Sequence, residues 1–97
     1  MSKLILKFHG VIIKEYNLDK PYLTIGRNDD NDICIDHMAV SSHHARIDKA
    51  EDTAEDCYTV TELNSTNGTF VNGKKMTTTV LKPNDWIAIG KHILYFK

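Results

Sequence analysis

Three short stretches of this chain carry side chains suited to holding an oxyanion. In Ile25-Gly26-Arg27 an apolar, strand-like run ends on glycine, and the arginine opens the polar loop Asn28–Asp32. The planar fork of arginine grips two oxygens of one phosphate or carboxylate, which the point charge of lysine does not. In Val40-Ser41-Ser42-His43-His44-Ala45 two hydroxyls and two imidazoles precede a strand. Small hydroxyls and loop amides donate readily to an oxyanion. In Leu63-Asn64-Ser65-Thr66-Asn67-Gly68-Thr69-Phe70-Val71-Asn72-Gly73 hydroxyl and amide side chains crowd around a glycine at which the chain must turn tightly. Such side chains hydrogen-bond their own backbone, hold a loop rigid, and can read the main chain of a ligand. Singly, each stretch also reads as ordinary structure: Arg27 neutralising its acidic neighbours, a polar turn with a core-facing His44, and a long polar turn.

The elements that position these stretches are short strands. Strand-like runs span Lys3–Phe8, Val11–Leu18, Tyr22–Gly26, Ile33–Ile35, His44–Lys49, Cys57–Leu63, Phe70–Val71, Thr77–Leu81, Trp86–Ile89 and His92–Phe96. Leu4/Leu6/Phe8, Leu23/Ile25, Ile33/Ile35, Ala45/Ile47, Tyr58/Val60, Ile87/Ile89 and Leu94/Phe96 alternate with period two, which turns one side of each strand to a core. Turn residues punctuate them, and Asn72-Gly73 predicts a type I′ hairpin with positive φ at both positions. Ala50–Asp56 is short, acidic and without an apolar stripe, and reads as a solvated loop. The expected fold is an all-β antiparallel sandwich or barrel filling residues 1–97 as one domain.

Composition narrows the chemistry. Twelve Lys+Arg face 13 Asp+Glu in 97 residues, a formal net charge of −1. Nucleic-acid backbones select a basic excess, so no nucleic-acid partner is expected. Apolar runs such as Val11-Ile12-Ile13 are too short for a membrane span or a signal-peptide core. The glycosylation-type triplets at Asn64 and Asn67 are accordingly read as coincidence. Cys34 and Cys57 lack metal spacing and are expected as buried or half-buried thiols in a reducing, cytoplasmic setting.

Taken together and in order, Gly26-Arg27, Ser41-x-x-His44 and Ser65-Thr66-Asn67-Gly68-Thr69-Phe70-Val71-Asn72-Gly73 resemble the forkhead-associated (FHA) domain. Asn31-Asp32-Ile33 and Leu81…Asp85-x-Ile87-x-Ile89-Gly90 extend the resemblance over nearly the whole chain. It implies a sandwich of about eleven strands binding phosphothreonine peptides through loops at one end. Arg27, Ser41, Ser42 and Thr66 correspond to phosphate contacts, and Asn67 to the residue that holds the peptide main chain. Gly26, His44, Gly68 and Asn72 correspond to scaffold positions. Ser42 replaces a longer side chain, Glu62 and Asn64 stand where Asp and Gly are common, and Asn84 stands where Gly is common. The loop of His37-Met38-Ala39-Val40 and the turn Gly90-Lys91-His92 would read the third residue after the phosphothreonine, apolar in preference to acidic. The implied partner is a Thr-phosphorylated protein, with the domain monomeric, alone or joined to an effector, and without a cofactor.

Other functions fit less well. His37, His43 and His44 with Asp32 and Asp36 suggest metal ligands, but adjacent extended histidines point to opposite faces. The Asn28–Asp32 loop lacks the glycine and terminal glutamate of an EF-hand. Ser41 and His44 mimic a nucleophile and base, yet no hydrolase elbow, phosphate loop or carboxylate pair accompanies them, and no enzyme activity is expected. The stronger rival is a scaffold of the same fold that binds an unphosphorylated partner or self-associates.

Overall fold

The computed structural model describes residues 2–50 and 57–97; most of the expected acidic loop, residues 51–56, lies outside them. Eleven strands follow in order: β1 (Lys3–Phe8), β2 (Val11–Asn17), β3 (Tyr22–Gly26), β4 (Ile33–Cys34), β5 (Ala45–Lys49), β6 (Tyr58–Glu62), β7 (Phe70–Val71), β8 (Lys74–Lys75), β9 (Thr78–Leu81), β10 (Trp86–Ile89) and β11 (His92–Phe96). They form a six-stranded sheet, β2-β1-β11-β10-β7-β8, and a five-stranded sheet, β4-β3-β5-β6-β9.

The period-two alternation becomes the core between them. Leu4, Ile25, Ile33, Ala45, Val60, Ile87, Ile89 and Leu94 are completely buried, with Leu6, Leu23, Ile47, Tyr58 and Phe96 nearly so. Each fully buried Leu, Ile or Val contributes about 1.5–3 kcal/mol. Tyr58 satisfies its one polar atom by donating from Oη to the Leu18 carbonyl at 3.1 Å. Phe8, expected on the core face, is half-buried instead and stacks on the His92 ring at 4.3 Å. The β7–β8 turn has the expected positive φ at both Asn72 (52°) and Gly73 (85°).

Two expectations need correction. The sandwich is not wholly antiparallel: β4 runs parallel to β3, with Ile25 opposite Ile33 and Gly26 opposite Cys34. The polar loop before β4 makes this reversal possible. The Asp32 carboxylate accepts the Thr24 main-chain N–H at 3.0 Å, which turns the chain back alongside β3. Cys34 is exposed rather than buried, its thiol donating to the Arg27 carbonyl at 3.4 Å. On an edge strand whose alternate residues Ile33 and Ile35 fill the core, position 34 has only solvent to face.

Candidate functional site

Three connections meet at one end of the sandwich: the β3–β4, β4–β5 and β6–β7 loops. Main-chain bonds join the first two. Arg27 N–H donates to the Ser41 carbonyl at 2.9 Å, Ile35 N–H to Gly26 at 2.9 Å, and His44 N–H to Ile25 at 2.8 Å. The Asn31 side chain, nearly buried, donates from Nδ2 to the carbonyls of Asn28 and Ser42, both at 2.8 Å. Gly26 must be glycine for this approach. A Cβ there would lie 2.3 Å from the Ser42 carbonyl oxygen, well inside contact distance.

His44 joins the second loop to the third. Its ring is fully buried; Nδ1 accepts the Ser41 N–H at 3.1 Å, and Nε2 lies 2.9 Å from the Gly68 carbonyl. The amide can only donate and the carbonyl only accept, so the ring is the neutral tautomer protonated on Nε2. Gly68 has φ of 84°, and Asn64 takes the left-handed conformation at 55°, where Asn is better tolerated than most side chains.

Glu62 anchors the third loop from beneath. Its carboxylate accepts the main-chain N–H and hydroxyl of Ser65, and the buried Thr69 hydroxyl at 3.2 Å. The Ser65 oxygen in turn accepts the Gly68 N–H at 2.9 Å. Burial pushes the Glu62 carboxyl up, but the hydrogen bonds from Ser65 and Thr69 outweigh it and hold the group below its ordinary value. Asp32 is lowered by the Lys20 ammonium at 2.7 Å and by the Thr24 amide.

Above this framework opens a cleft of about 330 Å³ lined by Arg27, Met38, Ala39, Val40, Ser41, Ser42, Thr66 and Asn67. All five residues assigned from the sequence to ligand contact therefore line this one cleft. Ser41 Oγ accepts the Thr66 N–H at 3.0 Å, and Asn67 Nδ2 donates to the Ala39 carbonyl at 2.9 Å, so the two loops are stitched across the cleft. Among the described residues Arg27 has no carboxylate within 4 Å. Two of its acidic loop neighbours are engaged elsewhere: Asp32 with Lys20 and Thr24, and Asp30 with His43 Nε2 at 3.1 Å. The simple neutralising reading of Arg27 does not hold. A second hollow of about 340 Å³, bordered by Ala39, Asn67, Gly68, Gly90 and Lys91, adjoins the first. Met38 stands 91% exposed between loop and solvent.

The scaffold positions lie elsewhere. Gly26, His44 and Gly68 sit beneath the cleft, whereas Asn72 is outside it. The Asn72 side chain donates to Asp85 at 2.9 Å and accepts the Trp86 N–H at 3.1 Å, tying the β7–β8 hairpin to β10. His43 is exposed and His44 buried, on opposite faces as their adjacency required. Among the described residues no three His, Cys, Asp or Glu side chains are arranged to hold a metal ion. Sequence reasoning missed the fastening roles of Asn31 and Glu62. Both positions stood in the matched pattern, Asn31 in Asn31-Asp32-Ile33 and Glu62 where Asp is common, as polar side chains near a strand end, where loop carbonyls and amides need partners.

Comparison with known proteins identifies the family and the fold. A family model described as the FHA domain matches residues 23–90. The oxoglutarate dehydrogenase inhibitor of Corynebacterium efficiens is 40% identical over 81 residues, covering 81% of this chain and 53% of that protein. The chain spans about half the length of the curated relatives it matches. Among solved structures, the FhaA FHA domain complexed with an intracellular domain superposes with a TM-score of 0.85 at 26% identity, covering 100% of both chains. A structure from an analysis of phosphothreonine-dependent FHA domain interactions superposes at 0.86, also 26% identical, covering 99% of this chain and 94% of the other.

Proposed function

Since this chain belongs to the forkhead-associated domain family, we propose that its cleft binds a phosphothreonine-containing segment of a partner protein, as a recognition module in Ser/Thr-kinase signalling. The observation that carries this reading is an Arg27 guanidinium with no carboxylate partner among the described residues, lining one cleft with Ser41, Ser42, Thr66 and Asn67. A phosphothreonine brings a charge of roughly −1.5 to −2 and three acceptor oxygens. The Arg27 fork takes two of those oxygens. The hydroxyls of Ser41, Ser42 and Thr66 complete the shell. The Ser41 oxygen already accepts the Thr66 N–H, so its own hydrogen is free to donate outward. Asn67, fixed through Nδ2 to Ala39, keeps its side-chain carbonyl for a peptide main-chain N–H. Exposed Met38 and the hollow beside Lys91 favour an apolar over an acidic residue three positions after the phosphothreonine.

Nothing in this scheme needs bond-making chemistry. His44, the base that pairs with Ser41 in sequence as a nucleophile and base would, spends both ring nitrogens on the framework, so the reading is of binding and not catalysis. Titrating one peptide in phosphothreonine, phosphoserine and unmodified forms tests it by calorimetry. Burying the extra methyl is worth about 0.8 kcal/mol, so phosphothreonine should bind about fourfold more tightly than phosphoserine. The unmodified peptide should show no measurable heat. Equal binding of all three forms would instead establish a scaffold that ignores phosphate.

A further inference from the structure

The β8 and β9 strands end their respective sheets on the same side of the sandwich, and a groove of about 520 Å³ lies along them. Val71, Met76 and Val80 give it an apolar floor, with Val80 52% exposed. Lys74, Lys75 and Lys82 stand around it, all exposed. Among the described residues none of the three has a carboxylate within 4 Å. The one carboxylate lining the groove, Asp85, is already spent: it accepts from Asn72 Nδ2 at 2.9 Å and from the Lys82 main-chain N–H at 2.8 Å. In a chain of net charge −1, three unpaired cations around one apolar floor form a local field opposite to that of the whole.

The backbone adds a second feature. Glu62 N–H donates to the Thr77 carbonyl, which fixes the phase of the β6–β9 ladder. Thr79 and Leu81 then turn their main-chain groups to β6, while Thr78 and Val80 turn theirs away from it, to the open edge of the sheet. An open edge of this kind accepts an extended peptide as an added strand. At Lys75 the groove comes close to the loop that lines the cleft. The hairpin carrying Lys74 and Lys75 follows Thr69 directly, and Lys75 packs so close to Gly68 that a Cβ there would meet Lys75 Cε at 3.1 Å.

We propose that this groove is a second docking site, taking an acidic extended segment of the same protein whose phosphothreonine occupies the cleft. The proposal rests on the phosphothreonine reading of that cleft. Carboxylates would meet Lys74, Lys75 and Lys82, interleaved apolar residues would cover Met76 and Val80, and the backbone would pair with Thr78 and Val80. Three cations are too few to compete for a nucleic-acid duplex, where affinity scales with the number of phosphates neutralised.

The test uses the full chain and three fluorescent peptides: a short phosphothreonine peptide, the same peptide joined by a Gly/Ser linker to a tail alternating Glu with Val, and the tail alone. Exposed ion pairs contribute up to about fivefold each in affinity. The tail should therefore tighten phosphopeptide binding by about five- to thirtyfold at low salt, with the gain shrinking as salt rises. Lys74→Glu/Lys82→Glu should abolish that gain and leave the short peptide unchanged; Lys75 is kept because its stem packs on Gly68. Val80→Pro, which removes one outward N–H without touching the β6 ladder, should reduce the gain in protein of unchanged melting temperature. A tail that adds nothing, or a gain that survives the double charge reversal, overturns the proposal. So does duplex DNA that displaces the tail as well as free tail does. The tail alone separates the two readings. If the short phosphopeptide fails to bind but the tail alone binds through Lys74 and Lys82, the cleft reading falls and the groove stands.

Discussion

The surface of the cleft and the layer beneath it are built from the same three loops, yet their side chains behave in opposite ways. Arg27, Asn67 and Met38 are exposed, and the Arg27 charge is unspent within the described chain. Below them Gly26, His44 and Thr69 are buried, and His44, Thr69 and Glu62 put their polar groups into the framework. The difference teaches that stability and recognition are held by separate residues a few positions apart. Substitutions below should change melting first, and substitutions above should change affinity first.

The largest effect should come from the lower layer. His44→Ala removes both ring bonds, strands the Ser41 N–H and the Gly68 carbonyl, and leaves a cavity. Each stranded buried group costs about 1–3 kcal/mol before the cavity is counted. A small domain loses roughly 4–8 °C of melting temperature per kcal/mol, so thermal denaturation should move down by more than 10 °C. An unchanged melting temperature would dissolve the distinction between the layers.

Arg27→Ala should do the reverse. Charge-assisted hydrogen bonds are worth about 1.5–3 kcal/mol, so phosphopeptide affinity should fall about ten- to several-hundredfold while melting stays in place. Arg27→Lys should recover only part, since the fork is lost. Calorimetry and denaturation on the same preparations decide this.

Asn67→Ala sharpens the comparison, because Asn67 belongs to both layers: Nδ2 holds Ala39 while Oδ1 faces the cleft. Affinity should fall by roughly tenfold, about 1.4 kcal/mol, and alike for phosphopeptides of different sequence. Melting should drop by only a few degrees. Strong sequence dependence of the loss, measured over a small phosphopeptide panel, would mean that Asn67 reads side chains.

The smallest effect is a pH dependence confined to the framework. Asp32 and Glu62 are both held below their ordinary values. Such carboxylates contribute stability that is complete above the unfolded value, about 4, and is lost as pH falls through the lowered folded value. Melting temperature governed by these two groups should therefore be level from pH 7 to about 5 and decline below about 4. Glu62→Gln should flatten part of that decline.

Much of this architecture is legible in the residues themselves. Alternation marked Leu23/Ile25, Ala45/Ile47, Ile87/Ile89 and Leu94/Phe96 as core because a half-buried strand has no other way to place them. Asn72-Gly73 announced its turn because few other pairs accept positive φ twice. The parallel β3–β4 pair was not legible, since its cause is a side-chain bond from Asp32 back to Thr24 across a loop. Cys34 was misjudged because strand character was equated with burial, although Ile33 and Ile35 on either side already pointed it outward. The five cleft residues could be grouped by their order along the chain. Asn31 and Glu62 could not, because what they do depends on which carbonyls and amides the fold brings within 3 Å.

The stitching of the third loop has a chemical consequence over the lifetime of the molecule. Asn-Gly sequences age when the glycine nitrogen attacks the asparagine side chain, closing a succinimide that opens to aspartate or isoaspartate. At Asn67-Gly68 the attacking nitrogen is engaged by the Ser65 hydroxyl, and the target amide is pinned to Ala39. The loop thus protects the asparagine it presents from turning into an acid, whose negative charge would line the same cleft as Arg27 and repel a phosphate.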